Sequence, residues 1–142
     1  MTELTLAKAN LIVEAALGKA KALGLRPLGV AVLDAGGHLI AFQRQDGASF
    51  LRHQIASGKA FGALSIGAGS RTVAMHAVER PHFMQGLSGV SGGRVVPVPG
   101  GVLVKAADGT ILGAVGISGD TSDNDEAAAI AGIEAAGFSA EP

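Results

Sequence analysis

Cysteine, tryptophan and tyrosine are all absent from these 142 residues. Without cysteine there is no disulfide, no thiolate metal site and no cysteine nucleophile, which fits a cytoplasmic protein. Without Tyr or Trp, and with a net charge of −1 and no basic patch, bases find neither a stacking platform nor an electrostatic one. This speaks against nucleic-acid binding. No apolar run approaches the ~20 residues of a membrane-spanning helix. The N-terminal MTELTLAKAN carries an acidic residue and no apolar h-region, so it does not read as a signal peptide. Charge is also scarce, at 16% of residues. A surface so poor in charge points to self-association that covers part of it. Glycine, by contrast, is plentiful: there are 22, about twice the ~7% of average usage. With 48% hydrophobic residues, the chain can bury a core, and its length is that of one domain, 1–142.

Thr5 is placed to cap a helix running from Leu6 to about Leu23, stopped by Gly24 and Pro27. Ala7, Leu11, Ala15, Gly18 and Ala22 recur along it as one stripe. LGVAVLD (28–34) is continuously apolar, the pattern of a strand covered on both faces. The Ala35-Gly36-Gly37 turn returns it as His38–Arg44. Ser49 can cap a second helix to about Ile66, in which Gly58, Gly62 and alanines at 56, 60 and 63 let a neighbour approach closely. That neighbour is another helix, a ligand or a second subunit. Ser70 can cap a short helix over 71–78, and 79–99, with its prolines and glycines, reads as a long loop. Val102–Ala106, an Asp108-Gly109 turn and Thr110–Ile117 make a second hairpin. Thr121 or Ser122 caps a last helix closed by Gly137. The expected fold is α+β, an antiparallel sheet of about five strands flanked by helices in a single-domain sandwich.

Few side chains here could do chemistry. Arg44 ends a strand on the face of Ile40 and Phe42, where a guanidinium can hold a ligand carboxylate, and Asp46-Gly47 follows as a turn. Lys59 stands among glycine and alanine; in a cleft, desolvation would lower its pKa and allow base or Schiff-base chemistry. The histidines, at 38, 53, 76 and 82, have no metal-site spacing. A single one can still be an axial ligand of haem iron. His53 is the first candidate, because Arg52 and Lys59 share its helix and could meet propionates. His82 is the second. Gly36-Gly37 and Gly100-Gly101 could cradle an anion, although turn geometry alone explains them. Asp120, Asp123, Asp125 and Glu126 are explained by helix capping without a metal.

Taken in order, LTLAKA, VAVLDAGGHLIAFQRQDGA, KAFGA, PGGVLV and DGTILGAVGISGDTSDNDEAAAIAG resemble the GlcG/HbpS-like family of haem-degrading domains, a module also found appended to PduO-type adenosyltransferases. The resemblance spans residues 4 to about 133. It implies a compact α+β domain that forms dimers and larger rings, often octamers. For some members it implies haem or tetrapyrrole binding, and for a few an iron or haem-degradation role. Arg44, Asp46, Gly47, Lys59, Gly100, Gly101, Asp125 and Glu126 fall on recurring positions of the family. Gln45 stands where a methionine is usual, and the 79–99 segment departs from the pattern. The first expectation is therefore a tetrapyrrole-binding oligomer, with a cleft lined by Phe50, Phe61, Met84 and the 79–99 segment. Arg44, Arg52 or Lys59 would pair with carboxylates, and His53 or His82 would reach the iron. A second is a cofactor-free enzyme acting on a small carboxylate of the glycolate or aromatic-acid type, with Arg44 holding substrate and Lys59 supplying acid–base chemistry. A third is a non-catalytic assembly module.

Overall fold

Thr5 accepts a hydrogen bond from the Lys8 amide at 3.2 Å and opens helix α1 (Leu6–Ala22). In the computed structural model, which describes residues 3–142, the buried stripe of α1 is not the expected one. Ala9, Ile12, Val13, Ala16 and Ala20 face inward, and Leu11 is half exposed. Both stripes obey the helical period. The one holding the β-branched pair Ile12 and Val13 buries more apolar surface, and the Ile12 carbonyl seats against Gly132, where an added Cβ would lie 2.6 Å from it.

The chain continues through β1 (Gly29–Asp34), β2 (Leu39–Arg44), α2 (Arg52–Ile66), α3 (Ser70–Glu79), α4 (Pro81–Val90), β3 (Gly101–Lys105), β4 (Ile111–Ser118), α5 (Ser122–Ala135) and β5 (Ser139–Glu141). The strands form one antiparallel sheet in the order β2-β1-β4-β3-β5. The fold is thus the expected α+β sandwich with five strands. No helix among the described residues is long and apolar enough to cross a membrane.

Side-chain alternation gives the sheet two unlike faces. Val30, Val32, Val102, Val104, Val115 and Ile117 point to α1 and α5 and form the main core with Ile12, Val13 and Ile133. Fully burying a side chain of this kind contributes ~1.5–3 kcal/mol. The opposite face carries Leu33 and Leu103 but is otherwise rich in small residues, among them Gly29, Gly101, Ala114 and Gly116, and α2 lies directly on it. A Cβ on Gly116 would stand 1.8 Å from the Ala56 carbonyl oxygen, and one on Gly101 2.2 Å from that of Lys59. The small residues of α2 therefore meet the sheet of their own chain. On its outer side, Gly58 and Gly62 meet Arg94, Val95 and Val96.

Three further expectations are corrected. The 79–99 segment is not all loop, because Pro81 opens α4. Proline is compatible with the first helical turn, where its missing N–H would have no partner. Ser70 does not cap α3: Gly69 holds that position, while the Ser70 hydroxyl donates to the Val98 carbonyl and accepts the Gly101 amide, each at 2.7 Å. Ser49 accepts the Leu51 amide, and α2 starts only at Arg52.

Turn aspartates tie the loops down. The Asp120 carboxylate accepts from Asn124 Nδ2, the Arg26 and Thr121 amides and Arg26 Nε. These bonds, that from Asn124 foremost, hold its pKa well below the ordinary 3.8. Asp34 and Asp108 are lowered by backbone amides of their own turns. A carboxylate whose pKa is lower in the folded than in the unfolded chain adds stability above the unfolded value and loses it as pH falls through the folded one. The thermal midpoint is therefore expected to fall once pH drops below 3.8. Asp120→Asn should flatten part of that fall, and superimposable curves for the two proteins would refute the role of Asp120.

Candidate functional site

The tip of the β1–β2 hairpin, the outer face of α2 and the segment after α4 enclose a half-open slot of 610 Å³. This lies within the ~300–1,000 Å³ typical of small-molecule sites. Its walls are mostly apolar: Leu33 and Leu39 from the hairpin, Ile55 and Phe61 from α2, and Val96. The hairpin reaches α2 because Gly37, at φ +84°, lacks a Cβ that would lie 3.1 Å from the Phe61 ring. The 94–96 segment reaches it because Gly58 leaves room for the Arg94 carbonyl, and the Val96 amide donates to the Gly58 carbonyl at 3.2 Å.

Into this slot α2 presents His53, Ser57 and Phe61, four residues apart and hence on one face. His53 is half-buried, its ring 4.7 Å from that of Phe42. The Ser57 hydroxyl is buried with no hydrogen-bond partner among the described residues. Arg94 and His38 stand at the rim. The Arg94 guanidinium lies 3.9 Å over the Phe61 ring, and His38 is paired with Asp34 at 3.1 Å. No acidic residue lines the slot. It can take a flat apolar ligand with anionic groups at its edge, offering an imidazole and an unpartnered hydroxyl from one wall.

The other candidate residues go elsewhere. Lys59 is 3% exposed and lies outside the slot, donating to the Ile117 carbonyl at 2.9 Å and to Asp125 at 3.0 Å. Burial lowers its pKa, and the charge and hydrogen bond of Asp125 oppose that shift. Gly100, at φ +122°, packs on the lysine: an added Cβ would meet its Cδ and Nζ at 2.9 Å. The Gly101 amide is taken by Ser70, and the Gly36 amide by Asp34. Arg52 points to the sheet, where its Nη1 donates to Ser118 Oγ at 2.9 Å. Arg44 and Asp46 are exposed, unpaired with each other, and share a separate groove of 450 Å³ with Leu17, Leu25 and Pro27. His82 is exposed on α4. Of the expected lining, Phe61 and Gly93, Arg94 and Val96 of the 79–99 segment are in the slot, whereas Phe50 is 75% exposed and Met84 lines a separate groove beside Ala77 and Pro97.

The acidic cluster is spent on basic partners. Asp125 holds Lys59, Asp120 holds Arg26, and Asp123 and Glu126 hold Arg71, whose pKa they raise. No group of three or more His, Cys, Asp or Glu side chains among the described residues is arranged for a metal ion. The slot thus holds His53 and Phe61, both singled out by the sequence, and Arg94 from the expected 79–99 segment, together with Ser57, which the sequence does not single out. The i, i+4, i+8 spacing from His53 could have flagged Ser57. Nothing local to 91–96 marks Arg94.

Comparison with known proteins places this geometry in context. The chain is 32% identical over 122 residues to an uncharacterized 15.0 kDa protein of the dhaT–dhaS intergenic region of Citrobacter freundii, covering 86% of this chain and 84% of that one. Among solved structures it is similar to PduOC in complex with haem (TM-score 0.85, 25% identity, 99% of this chain and 100% of that one). It is also similar to a double mutant of HbpS from Streptomyces reticuli (TM-score 0.81, 32% identity, 94% of this chain and 87% of that one). Residues 4–134 match the profile of the family described as haem degrading protein HbpS-like. By that match and by its fold, the chain belongs to the HbpS-like family.

Proposed function

We propose that the protein binds haem or a closely related tetrapyrrole in the slot between the β1–β2 hairpin tip, α2 and the 93–96 segment. The observation that carries this reading is the composition of the slot. It has apolar walls, a half-buried His53 and a cationic rim with no carboxylate in the lining. Membership of the family and the likeness to PduOC, solved with haem, support it. The residues present fit the group. The walls suit the macrocycle, the buried Ser57 hydroxyl lacks a partner, and Arg94 and His38 can meet propionates. His53 would be the side chain that reaches the iron.

A bound haem supplies redox-active iron. The chain itself would shield the macrocycle from water along the Leu33–Phe61 wall and fix its edge with the Arg94 guanidinium. Low surface charge, together with exposed Val78 and Val90, 82% and 86% accessible, favours self-association as part of the same reading.

Titration with hemin tests the proposal. The Soret band is expected to shift saturably at one hemin per subunit, the subunit count being read by sedimentation of the same samples. His53→Ala should weaken binding by at least about tenfold, since loss of an outer partner of a metal ligand alone typically costs ~10–100-fold. A weak, non-saturating change, equal in both proteins, would overturn the reading.

A further inference from the structure

The Arg94 side chain covers a wall of the slot that an entering ligand would use. Its guanidinium covers the Phe61 ring at 3.9 Å, so the free protein carries a flat cation on the one aromatic wall of the slot. On one side Phe61 is hemmed by the hairpin tip, where a Cβ added to Gly37 would lie 3.1 Å from its ring. The Arg94 main chain is fixed: its carbonyl sits over Gly58, and two residues on the Val96 amide is bonded to α2. Only the Arg94 side chain is free to move. It is exposed, it forms no ion pair with a described residue, and among its donors only Nε is engaged, at 3.2 Å to the Ser91 carbonyl.

We propose that Arg94 is a side-chain gate that selects planar ligands bearing carboxylates. This inference rests on the tetrapyrrole reading above and goes beyond it. A macrocycle entering the slot competes with the guanidinium for the face of Phe61. An acidic one compensates for the displacement, because a guanidinium pairs with a carboxylate through two parallel hydrogen bonds. A neutral one breaks the cation–π contact and gives the guanidinium no carboxylate in return. The gate therefore acts through the difference between two states of one side chain, with the backbone of both walls in place.

Two metal-free probes of the same plane separate the contributions: protoporphyrin IX, with two carboxylates, and its dimethyl ester, with none. Binding and association rate are read by porphyrin fluorescence. The unmodified protein is expected to prefer the diacid by about tenfold, the scale of one charge-assisted bidentate pair. Arg94→Ala should bring the ratio close to one, weakening the diacid and accelerating association of the diester. Arg94→Lys, which keeps the charge but not the planar fork, should fall between. An unchanged ratio in Arg94→Ala, with saturable binding of the porphyrins retained, overturns the gate and leaves the tetrapyrrole site standing. Absence of saturable binding of either porphyrin to the unmodified protein removes the tetrapyrrole reading, and the gate with it.

Discussion

Lys59→Ala is expected to cost about 3–5 kcal/mol of folding stability, the effect of removing one partner from a buried ion pair. Lys59 and Asp125 are 3% and 1% exposed, and they join α2 to the start of α5. Without the ammonium, the Asp125 carboxylate keeps only the Asp120 amide, and the Ile117 carbonyl loses a donor. An uncompensated charge then sits under α2. The double variant Lys59→Met/Asp125→Leu should recover much of the loss, since apolar side chains of similar size often replace a buried pair at little cost. Urea denaturation at neutral pH measures both. A loss below ~1 kcal/mol in Lys59→Ala would mean the pair is not structural and would reopen acid–base chemistry at Lys59.

Gly116→Ala is expected to be at least as damaging relative to its size. One methyl group would be placed 1.8 Å from the Ala56 carbonyl oxygen and 2.8 Å from its carbon, both backbone atoms of α2. No rotamer change relieves that contact, so the helix must lift off the sheet. Overpacking typically costs ~1–3 kcal/mol, and a rigid helix as the obstacle puts this case at the upper end. Because α2 also carries His53, Ser57 and Phe61, hemin binding should be lost in the fraction that still folds. Gly86→Ala is the control. Gly86 lies within α4 with nothing within 4 Å of an added Cβ, so the change should stabilise by roughly 0.5–1 kcal/mol. Thermal melts of the two variants moving in the same direction would refute the packing argument.

Much of this architecture was legible because local chemistry and global fold agree. The unbroken apolar run before Asp34 reads as a strand covered on two faces, and β1 is buried from Gly29 to Leu33. Asp108-Gly109 makes the second hairpin turn, with Gly109 at φ +89°. Thr5 and Thr121 cap the first and last helices. The failures have physical causes too. Pro81 signals a break in a running helix and a start in a new one, and sequence alone does not say which. β5 is three residues long and exists through its pairing with β3 and the Lys105–Glu141 ion pair. That is too little for a periodic signal. The small-residue face of α2 announced a close approach without naming what approaches.

The site was less legible than the fold. His53 is expected there from the sequence because Arg52 and Lys59 share its helix, yet both of those turn to the sheet while His53 and Phe61 face the slot. Lys59 and Asp125 are 66 positions apart, so their pairing leaves no local mark, and the lysine looks available when it is not. Arg44 and Lys59 were expected around one cleft. The sheet instead leaves Arg44 at the exposed end of an edge strand and buries Lys59 under α2. Arg94 enters the slot only because Gly58 lets its carbonyl approach α2, a contact between residues on separate elements.

The location of the ligand is the central claim, and the most direct test is an amide NMR spectrum of the labelled protein titrated with a diamagnetic metalloporphyrin. Ring-current shifts are expected to concentrate at Leu33, Gly37, His53, Ser57, Phe61 and Val96, with Arg44 and Asp46 unmoved. Shifts centred on the Leu25–Asp46 groove, or scattered over the surface without saturation, would contradict the account.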